Sequence, residues 1–175
     1  LVLGATMRHQ HAGLSIPDFP LAYHKIWPPM DAASVAKYNS LRDESLAPNP
    51  ITAFQIGLQM VHRLVALMIF CAVTSCAIVT RRHLGPRHPS SRLALVWAGL
   101  ILTQVFLGAF TIWSNKAADV ATSHVVVGAI SLATGALLTI ISFRVLIPAR
   151  AASLAAVRPP SDADAVATAT TSGAK

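Results

Sequence analysis

The chain has 175 residues, of which 54% are hydrophobic and 12% are charged, and its formal net charge is +7. Soluble domains carry roughly 25% charged residues, so this composition argues against a soluble fold and predicts an integral membrane protein. The basic residues gather at the ends of long uncharged runs and are not interleaved with aromatic residues, as they are in proteins that bind single strands. We therefore expect lipid, and not nucleic acid, around this chain.

The apolar runs predict an all-α fold, an antiparallel transmembrane four-helix bundle. Residues 1–6 are predicted to be the end of a truncated first helix, because Leu1 is not an initiator methionine and opens an apolar turn. Residues 7–49 are expected to form an extracytoplasmic loop. Residues 50–147 are expected to supply the three complete transmembrane helices of the bundle.

These three helices are predicted over about 50–80, 93–113 and 120–146. Asn49 and Pro50 suit the N-cap and the first position of the first helix, and Pro148 follows the last one. At 1.5 Å per residue, the first helix is roughly 46 Å long, whereas the hydrocarbon core is ~30 Å thick, so its first turns are expected to protrude. Residues 148–175 are rich in small and polar residues and predict a disordered tail.

The distribution of arginine predicts the topology. Basic residues with no acidic neighbours occupy the connection between the first two complete helices and the segment after the third; they are Arg81, Arg82, Arg87, Arg92, Arg144, Arg150 and Arg158. The positive-inside rule makes both segments cytoplasmic. The 7–49 loop then lies outside and the 148–175 tail inside, in a multi-pass protein of a bacterial cytoplasmic membrane.

Three ionisable residues, His62, Arg63 and His124, lie within the apolar runs. Ionisable residues inside spans are rare and usually functional. Both histidines enter from the outer side, so we expect them at similar depth on antiparallel helices, as two axial ligands of one haem iron require. Ala66 and Gly128 follow the histidines by four residues, and their small size leaves room for a porphyrin edge.

Other interpretations of these residues remain open at this point. Each histidine could instead form a hydrogen bond between helices, as polar residues do in membranes. Arg63 could neutralise a haem propionate, with Lys116 and Arg8 as rivals, or extend towards the lipid headgroups. Two cysteines, at positions 71 and 76, fall within the first long apolar run and are interpreted as buried thiols.

Several segments in order resemble the haem A synthase family of cytochrome oxidase assembly proteins. They are Leu3-Gly4-Ala5-Thr6-Met7-Arg8, the run from Ala12 to Leu21, His62-Arg63, Leu107-Gly108-Ala109-Phe110-Thr111, and His124 near the start of the last helix. The resemblance covers residues 1–146. It implies two similar four-helix halves, each with a histidine pair. One half binds the substrate haem O, whose ring methyl is oxidised to a formyl group to give haem A, and the C-terminal half holds a permanent haem b.

The chain departs from the family pattern at two places. The substrate half of the family has a Glu-x-x-His-Arg pattern, whereas Gln59 occupies the acidic position here, and Gln cannot exchange a proton. The cysteine pair that some members carry in the outer loop is replaced by Ile16 and Ala22. The resemblance therefore implies the haem b half, with His62 and His124 as its ligands and the haem O half preceding Leu1.

The partners implied by the resemblance are haem O and haem A, haem O synthase, oxidase assembly proteins and an external electron acceptor. The catalytic residues are not identified by this sequence. Two other functions remain open at this point. One is a membrane b-type cytochrome that carries electrons without substrate chemistry, and the other is a membrane assembly factor that binds no haem.

Overall fold

A computed structural model describes residues 2–42 and 49–157, the side chains of 145–157 excepted. The helices in these ranges are α1 (Val2–His9), α2 (Ala32–Ser40), α3 (Ala53–Leu84), α4 (Pro89–Trp113) and α5 (Ala118–Val157), with a 3-10 turn at Ala12–Leu14. The all-α class is confirmed for this part of the chain. The antiparallel four-helix bundle stays a prediction.

Three of the helices, α3, α4 and the Ala118–Arg144 part of α5, are long and apolar enough to cross a membrane. Their surfaces fit that environment, because large apolar side chains such as Met68, Phe106 and Phe143 are more than 60% exposed. The predicted three complete spans are therefore confirmed by length and composition, and the chain is a multi-pass membrane protein. The prediction that Cys71 and Cys76 are buried is wrong, since both are exposed on α3.

The start of α3 differs from the prediction at Asn49 and Pro50. Thr52 is the N-cap, and it forms a capping box with Gln55, whose backbone N–H and side chain both bond to Thr52. Residue 51 is instead held in the preceding loop, because the Asn39 side chain bonds to both the N–H and the carbonyl of Ile51. The capping box at Thr52 and the contacts of Asn39 with Ile51 together place the start of α3 directly after Thr52.

The other helices extend beyond their predicted limits. α4 begins at Pro89, where the His88 ring accepts a hydrogen bond from the N–H of Ser90. α5 continues past Pro148 to Val157. The disordered tail was predicted to begin at residue 148, whereas residues 148–157 are helical. Residues 158–175 lie outside the described part of the chain. A proline removes one backbone donor, which long membrane helices tolerate.

Residues Leu1–Ala136 form one compact unit, and Leu137–Lys175 form a second one. In the first unit, α3 packs along α4, and α1 and the 3-10 turn contact α3. The segment between α1 and α3 adds a small apolar core, formed by Ile16, Ala22, Tyr38, Ile51, Ile56 and Met60. Tyr23 stacks on Tyr38 with ring centroids 3.7 Å apart. The predicted loop at 7–49 is therefore, in its described part, a folded cover on the N-terminal end of α3.

Candidate haem-binding site

The first unit brings two histidines near each other, His62 on α3 and His124 on α5. Both side chains are half-buried, and they are close enough for their charges to interact. Among the described residues, no group of three or more His, Cys, Asp or Glu side chains is placed to hold a bare metal ion. A haem iron needs only two protein ligands, because the porphyrin supplies the other four. The pair therefore suits a haem better than a free metal.

A glycine lies beside each histidine ring. A Cβ added to Gly4 of α1 would be 4.0 Å from Cε1 of His62, and a Cβ added to Gly108 of α4 would be 3.4 Å from Cε1 of His124. Both glycines belong to a Leu-Gly-Ala sequence, at 3–5 and at 107–109. This Leu-Gly-Ala repeat is the feature of the sequence that could have indicated the two contacts between a glycine and a histidine ring. Periodicity alone does not show that each copy packs against a histidine of another helix.

Gln104 of α4 contacts His124. The Nε2 atom of its side chain donates to the backbone carbonyl of His124 over 2.8 Å. The Nδ1 atom of the His124 ring is buried and has no hydrogen-bond partner among the described residues. Because buried polar atoms nearly always have a partner, the ring has bonding capacity left for a ligand.

The two small residues predicted to make room for a porphyrin, Ala66 and Gly128, have different surroundings. A Cβ on Gly128 would lie 2.5 Å from Nε2 of Gln104, so the room beside this glycine holds the amide. Ala66 is half-buried on α3, one turn after His62. Their roles towards a haem stay predictions.

Arg63 is bound to the loop that covers α3. Its two terminal nitrogens donate to the backbone carbonyls of Leu21 and Asp18, over 2.8 and 2.7 Å. Its guanidinium carbon also lies 5.5 Å from the centre of the Phe19 ring, within range of a cation–π interaction. The Nε atom is buried without a hydrogen bond among the described residues. Arg63 thus fixes the loop and keeps one donor for a further partner.

Gln59 is also bound to this loop. Its side chain is 2% exposed, and its Oε1 accepts a hydrogen bond from the N–H of Ile16 over 2.8 Å. Its Nε2 faces the carbonyls of Gly13 and Ile16 over 3.4 and 3.5 Å. The amide therefore uses both its acceptor and its donors, which a carboxylate cannot do. The sequence identified the substitution at 59 but not these partners.

The covering loop reaches from α3 to the end of α4. The Phe19 ring, held beside Arg63, meets the ring of Trp113 edge to face with centroids 6.1 Å apart. Only four residues separate Trp113 from α5, which carries His124. A segment that touches both α3 and the end of α4 thus covers the ends of the two helices next to the histidine pair.

The comparison with protein families agrees with this architecture. The family model COX15-CtaA, described as cytochrome oxidase assembly protein, matches residues 1–136, which are the residues of the first compact unit. The chain belongs to the COX15-CtaA family. The predicted resemblance to the haem A synthase family is thereby confirmed, and with it a general role in cytochrome oxidase assembly. COX15-CtaA is a family of oxidoreductases.

Comparison with curated proteins and with solved structures finds no match. The family therefore gives the general role of this COX15-CtaA protein, and the arrangement of its own residues has to carry any finer assignment.

Proposed function

We propose that this COX15-CtaA protein holds a b-type haem between His62 and His124. The observation that carries the proposal is the pair of neighbouring imidazoles on two membrane helices, each with a glycine beside its ring. In the described part of the chain, no other side chain forms a hydrogen bond with either ring. The ring nitrogens are thus available as axial ligands.

The residues around the pair fit a haem. The buried Nδ1 of His124 has no hydrogen-bond partner among the described residues, so the ring has bonding capacity left for a ligand. The buried Nε of Arg63 is our candidate partner for a propionate, and Ala66 and Gly128 are the small residues on the ligand helices. A haem bound here supplies reversible one-electron transfer.

Within haem A synthesis, we assign this unit to electron transfer. Gln59 occupies the position of the acid in the substrate half, and its amide is fully used by the loop backbone. It can neither take up nor release a proton. The oxidation of haem O to haem A then belongs to the substrate half of the synthase. With haem b held by His62 and His124, this unit would pass the electrons of that oxidation to an external acceptor.

The surroundings of the site lead to the remaining assignments. The three spans and the basic connections support a bacterial cytoplasmic membrane, with residues 7–49 outside and residues 148–175 inside. Haem O synthase is the proposed source of the substrate, and oxidase assembly proteins are the proposed recipients of haem A.

Absorption spectroscopy of the purified protein tests the ligand pair. We expect a low-spin haem spectrum, its loss in His62→Ala and in His124→Ala, and its recovery when imidazole is added to either variant. His83→Ala is the matched control, because this exposed histidine lies at the far end of α3, and it should leave the spectrum unchanged. A colourless wild-type protein would refute the haem proposal, and a low-spin spectrum retained in either variant would refute the ligand assignment.

A further inference from the structure

Gln104 of α4 contacts His124 through its side chain. The side-chain amide donates to the backbone carbonyl of His124 over 2.8 Å. This contact links α5 to α4 at the histidine. The amide of Gln104 therefore fixes the backbone from which the ring of the proposed ligand projects.

Gly128 is what allows the amide to reach this position. A Cβ at 128 would lie 2.5 Å from Nε2 of Gln104, closer than Cβ contacts occur. The atom it meets is the end of a flexible side chain, so a methyl group at 128 displaces the amide without forcing the helices apart. Gly99, on α4, has no atom within 4 Å of the same point. Gly135 is similarly close to a side chain, that of Trp97, at 2.6 Å, so Gly99 is the glycine that serves as an uncrowded control.

We propose that Gln104 is a positioning residue for the axial ligand His124, and that Gly128 is a glycine in order to admit the Gln104 amide. This inference rests on the proposed haem site. The amide holds the backbone of His124 against α4 and thereby fixes the position from which the ring would ligate the iron. Partners of this kind around a metal ligand are worth about 10–100-fold in metal affinity when removed.

A double-mutant cycle tests the pair. Gly128→Ala, Gln104→Ala and the double variant are purified with haem, with Gly99→Ala as the matched control. The readouts are the electron paramagnetic resonance g values and the midpoint potential, which follow the orientation of the ligand ring, together with haem retention. We expect each single variant to shift the g values and the potential and to weaken haem retention about tenfold or more. Gly99→Ala should match the wild type.

The double variant decides the mechanism. If the methyl group acts by displacing the amide, Gly128→Ala has no further effect once Gln104 is alanine, and the double variant equals Gln104→Ala. Equal effects of Gly128→Ala in both backgrounds would overturn the inference, as would unchanged g values and potential in Gln104→Ala. A wild-type protein without haem would instead refute the proposed function. The same cycle, measured by thermal unfolding, would then still show whether the amide and the methyl group compete.

Discussion

The surroundings of His62 and His124 are organised from different parts of the chain. On α3, Gln55, Gln59 and Arg63 follow each other at intervals of four residues, and each binds backbone of the covering loop. The His62 ring itself has Gly4 as its neighbour. The His124 side is held within the membrane helices, where Gln104 of α4 bonds to the histidine directly.

The difference separates two ways of fixing a ligand helix. The His62 helix is fixed by several polar contacts to a folded loop, and the contact of Gln59 among them is buried. The His124 helix is bonded to α4 by one part-buried amide within the apolar helices, where an unpaired polar group is costly. Perturbing the loop is therefore expected to affect the His62 side first, whereas perturbing Gln104 is expected to affect the His124 side first.

The largest effect on the loop is expected from Arg63→Met. The substitution removes two hydrogen bonds from a charged donor to the carbonyls of Asp18 and Leu21, so we expect the free energy of unfolding to fall by about 2–4 kcal/mol. Denaturant unfolding in detergent measures it. Arg82→Met, at the exposed end of α3, is the control and should change little. Unchanged stability together with a shifted haem potential would mean that Arg63 serves the propionate and not the loop.

Gln59→Leu is expected to have the next largest effect. It leaves the buried N–H of Ile16 without its acceptor, which costs about 1–3 kcal/mol and speeds amide hydrogen exchange at Ile16. The comparison variant Gln55→Leu, at a half-buried position on the same face, loses the contact to the carbonyl of Gln10 and the side-chain half of the capping box with Thr52. It should leave the exchange at Ile16 unchanged. Wild-type exchange at Ile16 in Gln59→Leu would contradict the loop contact.

Gln59→Glu sharpens the contrast between an amide and an acid. The carboxylate can still accept from Ile16, but its other oxygen then faces the carbonyls of Gly13 and Ile16. We expect a less stable loop and no oxidation of haem O by this chain, measured by haem extraction and chromatography. The appearance of haem A in this variant would contradict the assignment of the unit to electron transfer.

The loop is also expected to respond to pH through Tyr23. Burial raises the pKa of this phenol to about 12 from its ordinary value of 10.0, and its hydroxyl donates to the carbonyl of Ser15. A raised folded-state pKa means that the stabilisation is complete below pH 10 and is lost as the pH rises towards 12. Ultraviolet titration of tyrosinate measures the pKa of the phenol, and Tyr23→Phe should remove the titration step near pH 12. Titration of every tyrosine near 10 would contradict the buried position.

The smallest effects are expected at the glycines beside the rings. A methyl group at Gly4 or Gly108 makes ordinary contact with the histidine, at 4.0 and 3.4 Å, and alanine favours a helix by roughly 0.5–1 kcal/mol over glycine. Both alanine variants should therefore keep their haem, with the larger spectral change in Gly108→Ala. A greater loss of haem in Gly4→Ala than in Gly108→Ala would contradict the expectation that the closer contact, at His124, is the more sensitive one.

Much of the fold and the candidate histidines follow from local sequence patterns. The apolar runs predict the spans, and their position inside these runs singles out His62 and His124. The helix ends were less predictable, because Thr52 competes with Asn49 as a cap and only the contact between Asn39 and Ile51 decides between them.

The partners of the polar residues could not be predicted. Gln59 and Arg63 bind residues more than 40 positions away in the chain, and no periodicity encodes such contacts. The amide of Gln104 reaches His124 across 20 positions and depends on the absence of a side chain at Gly128. A sequence shows a small residue there, but only the packing of α4 and α5 shows which group fills the room.

Electron paramagnetic resonance of the oxidised protein, combined with iron and haem quantification, tests the central claim most directly. The account predicts one haem per chain with a low-spin ferric signal typical of two imidazole ligands, replaced by a high-spin signal or by loss of haem when His62 or His124 becomes alanine. A protein without haem, or a low-spin signal that survives both substitutions, would contradict it.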